Sequence, residues 1–159
     1  MKLAYDSQKP VINVYYNQQI KNIEHFQQLL YGMEEEGIPY HMESRETGTA
    51  PELGYDAASG SNLDVGIGIG GDEILVLHYT KLKREEPLFK ISPPYGASIL
   101  RALGTNAARL VKGIPFKAMS DIEEAGTGII DGIDMDYLTA VIIDRLNYLL
   151  KDKGGAGFA

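Results

Sequence analysis

A chain of 159 residues with 44% hydrophobic and 23% charged residues has the makeup of one folded unit, not of a disordered polymer. Twenty-two acidic against 15 basic residues leave a net charge of −7, which argues against phosphate neutralisation and so against a nucleic-acid partner. Cysteine is absent, which excludes disulfides, thiolate zinc sites and a cysteine nucleophile, and fits a reducing cytoplasm.

The first ten residues are a polar leader without the apolar run of a signal peptide, and no stretch is long and apolar enough to predict a membrane span. Val11-Ile12-Asn13-Val14-Tyr15-Tyr16 is β-branched and aromatic and predicts a strand, apolar on both faces as in a sheet covered by helices on each side. Over residues 22–36 the period changes to three and four. Ile23, Phe26, Leu30 and Met33 share one helical stripe, and Gly37 with Pro39 closes it. Residues 38–42 read as a short extended segment, and residues 43–62 as a long loop with a helical turn around 51–58. From Leu63 to Tyr79, Val65, Ile67 and Ile69 alternate with Gly66 and Gly68, and Ile74 to Tyr79 follows a glycine-rich turn. That pattern predicts a β-hairpin with one bare face, to which something must pack closely.

A charged connection over 79–87 precedes a helix from Ala97 to Lys112. Ile99, Leu100, Leu103, Ala107, Leu110 and Val111 form its buried side, and Gly104 marks a close contact. The compact domain is expected over 1–119. Residues 120–134 mix glycine with acidic residues and read as a linker, and 135–153 as an amphipathic helix through Met135, Leu138, Ile142, Leu146, Leu149 and Leu150. Gly154-Gly155-Ala156-Gly157 is the expected stop. Such a helix either packs on its own domain or docks a partner.

Chemistry-bearing motifs are few. Gly66-Ile67-Gly68-Ile69-Gly70-Gly71 matches the dinucleotide fingerprint in letters, but β-formers follow it where pyrophosphate binding needs a helix N-terminus. No P-loop sequence occurs. His25, His41 and His78 lack metal-ligand spacing, and no serine sits in a nucleophile elbow, so no catalytic group is expected. Glu34-Glu35-Glu36 stands out. Three carboxylates close a helix at the negative end of its dipole, each costing roughly 0.3–1 kcal/mol. They read either as a solvated face or as a site whose cost a cation offsets in a complex. Mg²⁺ suits such a site, with the ligands one cluster cannot supply coming from a partner.

Gly32-Met33-Glu34-Glu35-Glu36-Gly37-Ile38-Pro39-Tyr40 and Asn106-Ala107-Ala108-Arg109-Leu110-Val111-Lys112-Gly113-Ile114-Pro115-Phe116 resemble the small subunit of diol/glycerol dehydratase reactivating factors. Val65-Gly66-Ile67, Leu77-His78-Tyr79 and Pro87-Leu88-Phe89 fall between them in that family's order, so the resemblance spans roughly residues 10–118. It implies a three-layer α/β/α fold with a mixed, largely parallel sheet, similar to the medium subunit of diol dehydratase. It also implies a non-catalytic subunit of a chaperone for adenosylcobalamin-dependent dehydratases. In that family an actin-like large subunit carries the ATPase, and exchange of the small subunit for the dehydratase's medium subunit releases damaged cobalamin. The second glutamate of E-E-x-G coordinates a divalent cation shared with the large subunit, which by its motif is Glu35 here. No nucleotide or cobalamin is expected on this chain alone. Glu34, Glu36, Gly66 and Gly68 are the further candidates for the partner interface. The expected setting is the cytoplasm, including a bacterial microcompartment. Two rivals stand beside this reading: the dehydratase medium subunit itself, and a small-ligand-binding α/β domain using the glycine-rich hairpin.

Overall fold

In the computed structural model, which describes residues 10–117, 129–130 and 135–157, one sheet contains β1 (Ile12–Asn17), β2 (Tyr40–Arg45), β3 (Val65–Ile69), β4 (Leu75–Tyr79), β5 (Phe89–Ser92) and β6 (Ile129–Ile130). Their order is β2-β1-β3-β4-β5-β6. β1 runs parallel to β2 and β3, while β3–β4, β4–β5 and β5–β6 are antiparallel. The α/β class and the mixed sheet agree with expectation. The share of antiparallel pairing is larger than "largely parallel" implies, because the short connections from β3 to β4 and from β4 to β5 cannot make a parallel crossover.

Side-chain alternation assigns the faces. Ile12, Val14, Val65, Ile67, Ile69, Leu75 and Leu77 point to one side, where α1 (Gln27–Glu35, entered through a 3-10 turn at Ile23–Phe26) and α3 (Ala97–Lys112) cover them. Phe26, Leu29, Met33, Leu103, Ala107 and Leu110 are the helical half of that core, all fully buried. The opposite side of β3 carries Gly66 and Gly68, and α2 (Ala50–Ser59) lies directly on it. A Cβ at Gly66 would overlap Ala57 and the Ala58 amide, and one at Gly68 would overlap the Ala50 carbonyl and the Gly54 amide. The three layers are therefore α1 and α3, sheet, and α2.

This placement corrects two expectations. Residues 50–59 are a full helix and not a loop with one turn. Thr49 accepts from the Glu52 amide, Glu52 accepts from the Thr49 amide at 3.0 Å, and Pro51 sits in the first turn. Gly66 and Gly68 are not a docking surface, since the chain's own helix fills that bare face. β5 was also absent from the expected elements, although Phe89 and Ile91 are buried and alternate with the exposed Lys90.

α4 (Met135–Gly157) runs past the expected end at Lys153, because glycine lowers helix propensity without forbidding helical backbone angles. Val141 and Arg145 face inward, whereas Leu146 and Leu150 of the expected apolar stripe are exposed. The stripe sits rotated because Arg145 is held by the domain. Its guanidinium donates to the Leu63 and Val111 carbonyls and to Asp64. The linker expected over 120–134 lies outside the described residues except for Ile129–Ile130, which pairs with Ile91 and Ser92.

Candidate functional site

The acidic run sits where α1 ends against α3. The two helices cross closely because each presents a glycine. A Cβ on Gly32 would collide with the Arg101 carbonyl, and one on Gly104 with the Leu29 carbonyl. α1 then stops in a Schellman motif. Gly37 takes φ +78°, its amide donates to the Glu34 carbonyl at 2.9 Å, and the Ile38 amide donates to Met33 at 3.1 Å. α3 ends the same way at Gly113 (φ +68°), with Ile114 donating to Arg109 at 3.1 Å. Each Gly-Ile-Pro in the two motifs thus closes a helix, and the proline prevents its continuation.

The three carboxylates have three different fates. Glu34 accepts from the Tyr40 hydroxyl at 3.1 Å. Glu36 is the least exposed, at 18%, and accepts from Lys112 Nζ at 2.9 Å with Arg109 3.5 Å away. Its pKa is held below the usual carboxylate range, first by the Lys112 hydrogen bond. Glu35 stays 53% exposed and pairs with Arg101. The dipole penalty of an acidic helix end is therefore offset inside the chain, by cations from one neighbouring helix. Sequence reading missed Arg101, Arg109 and Lys112 as partners. Their spacing along α3 was visible, but which helix they face is set by the crossing.

The second motif serves structure. Asn106 is fully buried, accepts from the Lys117 amide at 2.7 Å and donates to the Lys117 carbonyl at 3.3 Å, fastening the segment after Pro115. Ala107 and Ala108 are small enough for the closed face, and Arg109 turns to Glu36.

At the carboxyl ends of β1 and β3, where α/β sheets commonly hold small ligands, polar side chains bond the chain's own backbone. Asn17 donates to the Gly48 carbonyl at 3.2 Å and accepts from the Gln19 amide at 2.9 Å. Asp72 accepts from the Ile74 amide at 3.2 Å. These polar groups are spent on their own backbone, which disfavours the small-ligand reading. Among the described residues no group of three or more His, Asp or Glu side chains is placed to hold a metal ion.

The dehydratase medium subunit family model matches residues 9–117. The diol dehydratase-reactivating factor small subunit of Klebsiella michiganensis is 39% identical over 103 residues, covering 65% of this chain and 79% of that one. The propanediol dehydratase-reactivating factor small subunit of Salmonella typhimurium is 41% identical over 90 residues, covering 57% and 77%. The chain belongs to the family of dehydratase-reactivating factor small subunits. Solved structures agree. A glycerol dehydratase reactivase chain superposes with a TM-score of 0.67 at 31% identity, covering 69% of this chain and 98% of that one. A diol dehydratase-reactivating factor complexed with ADP and Mg²⁺ gives 0.65 at 35% identity, covering 70% and 100%. The reactivase-like domain is thus complete within this chain, which has further residues besides.

Proposed function

We propose that this chain is the non-catalytic small subunit of an ATP-dependent reactivase for an adenosylcobalamin-dependent diol or glycerol dehydratase. It acts by occupancy. Its domain takes the place of the dehydratase's medium subunit, opens that enzyme and lets damaged cobalamin leave, while the ATPase resides in the large subunit. A change in interface free energy of about 1.4 kcal/mol alters occupancy tenfold, so the nucleotide state of the large subunit suffices to switch the exchange. The cytoplasm, or a microcompartment within it, is where that client would be met.

The observation that carries this reading is the full-length match to solved reactivase chains, and the helix end between α1 and α3 supplies a docking point. Of the three carboxylates there, Glu36 is engaged by two cations and Glu34 by Tyr40, whereas Glu35 is half exposed in a surface pair. Such a pair contributes at most about 1 kcal/mol, so Glu35 exchanges Arg101 for another cation at small cost. That fits a carboxylate lending one ligand to Mg²⁺ shared with the large subunit. The ion, when bound, supplies positive charge that ties the two chains together.

The test is restoration of activity to an inactivated dehydratase by this chain plus its large subunit and ATP. Glu35→Gln should weaken association with the large subunit at least tenfold in Mg²⁺ buffer, measured by calorimetry. Unchanged affinity removes the metal role, and no restoration by the wild-type pair removes the reactivase reading.

A further inference from the structure

Arg145 of α4 is 3% exposed, so a full positive charge has been taken out of water there, which requires matching acceptors. Three are present. Its guanidinium donates to the Leu63 carbonyl at 3.0 Å, and to the Val111 carbonyl and the Asp64 carboxylate at 3.4 Å each. Its Cζ lies 5.8 Å from the centre of the Tyr79 ring and 5.5 Å from that of Tyr148. Of these partners only Tyr148 belongs to α4. Leu63, Asp64, Tyr79 and Val111 all lie within residues 9–117, the stretch that matches the family model.

The domain sets out these acceptors by its own geometry. Val111 lies in the last turn of α3, at the negative end of its dipole, and Pro115, four residues on, has no amide to give its carbonyl. Asp64 takes φ +64°, a left-handed conformation that costs a residue with a side chain. Its amide donates to the Ser61 carbonyl and its carbonyl accepts from the Thr80 amide, both at 3.1 Å, which fixes the backbone that carries the carboxylate. The Tyr79 hydroxyl, on a side chain 1% exposed, is buried without a hydrogen-bond partner. Polar capacity therefore remains here even with Arg145 in place.

We propose that Leu63, Asp64, Tyr79 and Val111 form a guanidinium-binding socket of the reactivase-like domain, and that α4 is a strap fastened in it by Arg145. Two carbonyls, a carboxylate and an aromatic face suit a planar cation with a fork of N–H donors, and suit the point charge of an ammonium far less. The rest of the strap grips lightly. Among the described residues Val141 is the α4 side chain buried in the main core, with Ile142 packed beside it, and Asp144 pairs with Lys81 in a surface contact at 3.4 Å. An arginine side chain presented by a partner competes with Arg145 for the same acceptors and, on entering, releases α4.

Arg145→Ala in the full chain empties the socket and leaves its acceptors. N-ethylguanidinium, which replaces the atoms removed, should then bind saturably in the millimolar range and raise the melting temperature by about 3 °C, whereas ethylammonium should not. Wild type, with its socket filled, should show no such rise. Hydrogen exchange reads the strap: amides over 141–150 of α4 should exchange at least about tenfold faster in the variant, with those of β3 and β4 unchanged. Asp64→Asn opens no void and keeps a residue that tolerates the left-handed backbone, so it should also speed α4 exchange, at least threefold. An absent response to N-ethylguanidinium overturns the proposal, as does an equal response to the two probes or one as large in wild type. So does α4 protection that survives in both variants.

Discussion

His78 shows how a buried polar side chain can be fixed in one state. Its Nδ1 accepts from the Tyr79 amide at 3.0 Å, and its Nε2 donates to the Arg84 carbonyl at 3.0 Å. Protonation would set a second N–H against that of Tyr79. Burial accordingly pushes the imidazole pKa below its ordinary value of 6.5. A base with a depressed folded pKa contributes stability that is complete above the unfolded value and declines as pH falls below it. Unfolding free energy should therefore fall as pH drops below 6.5, by at most about 1.4 kcal/mol per pH unit from this group. Urea denaturation of wild type and His78→Gln measures it. The variant, less stable overall, should show a flatter profile, and an unchanged slope would assign the effect elsewhere. The sequence placed His78 in a hairpin strand, and that much was legible. Its acceptor at Arg84 was not, because a connection without periodicity carries no signal of where its carbonyls point.

Among the elements, the ones with a clear period were the ones read well. The helix over 97–112 and the hairpin of β3 and β4 coincide with expectation. α2 was hidden by its composition, since Gly54, Pro51 and the alanines look like a loop unless Thr49 and Glu52 are seen as a cap. The alanines and glycines serve the bare strand opposite, each side explaining the other's small residues only once they are brought together. The α1–α3 crossing depends on the same economy. Gly104→Ala gains about 1 kcal/mol of helix propensity, yet its methyl would collide with the Leu29 carbonyl. The expected net result is a loss of at least about 1 kcal/mol in chemical denaturation, within the usual range for overpacking. Stability equal to wild type would mean that the helices can separate without cost. The neutralisation of Glu35 and Glu36 was illegible for a related reason. Arg101 and Lys112 lie 66 and 76 residues away along the chain, and local patterns say nothing about contacts at that distance.

At the scale of the molecule, the reactivase-like domain ends before β6 and α4. Removing residues 118–159 should leave a folded domain with a melting temperature about 5 °C lower. Deletion uncovers β5 and takes away the guanidinium that satisfies Leu63, Val111 and Asp64. Circular dichroism checks this, and loss of cooperative melting would make the extension part of the folding unit. The two lateral edges of the sheet are unlike: β2 is lined by exposed His41 and Arg45, a common defence against edge pairing, while the other edge is β6, kept to two residues. Between these edges lies the strand pairing most distant in sequence. β1 joins Ile12 to Tyr40 on one flank and Asn13 to Gly66 on the other. On the ribosome β1 emerges before the other five strands of this sheet, yet it gains its second neighbour only after β3 has been translated. Until then its apolar faces have no lasting shelter, so birth order runs against assembly order, and the nascent chain must keep this strand from pairing with strangers while it waits.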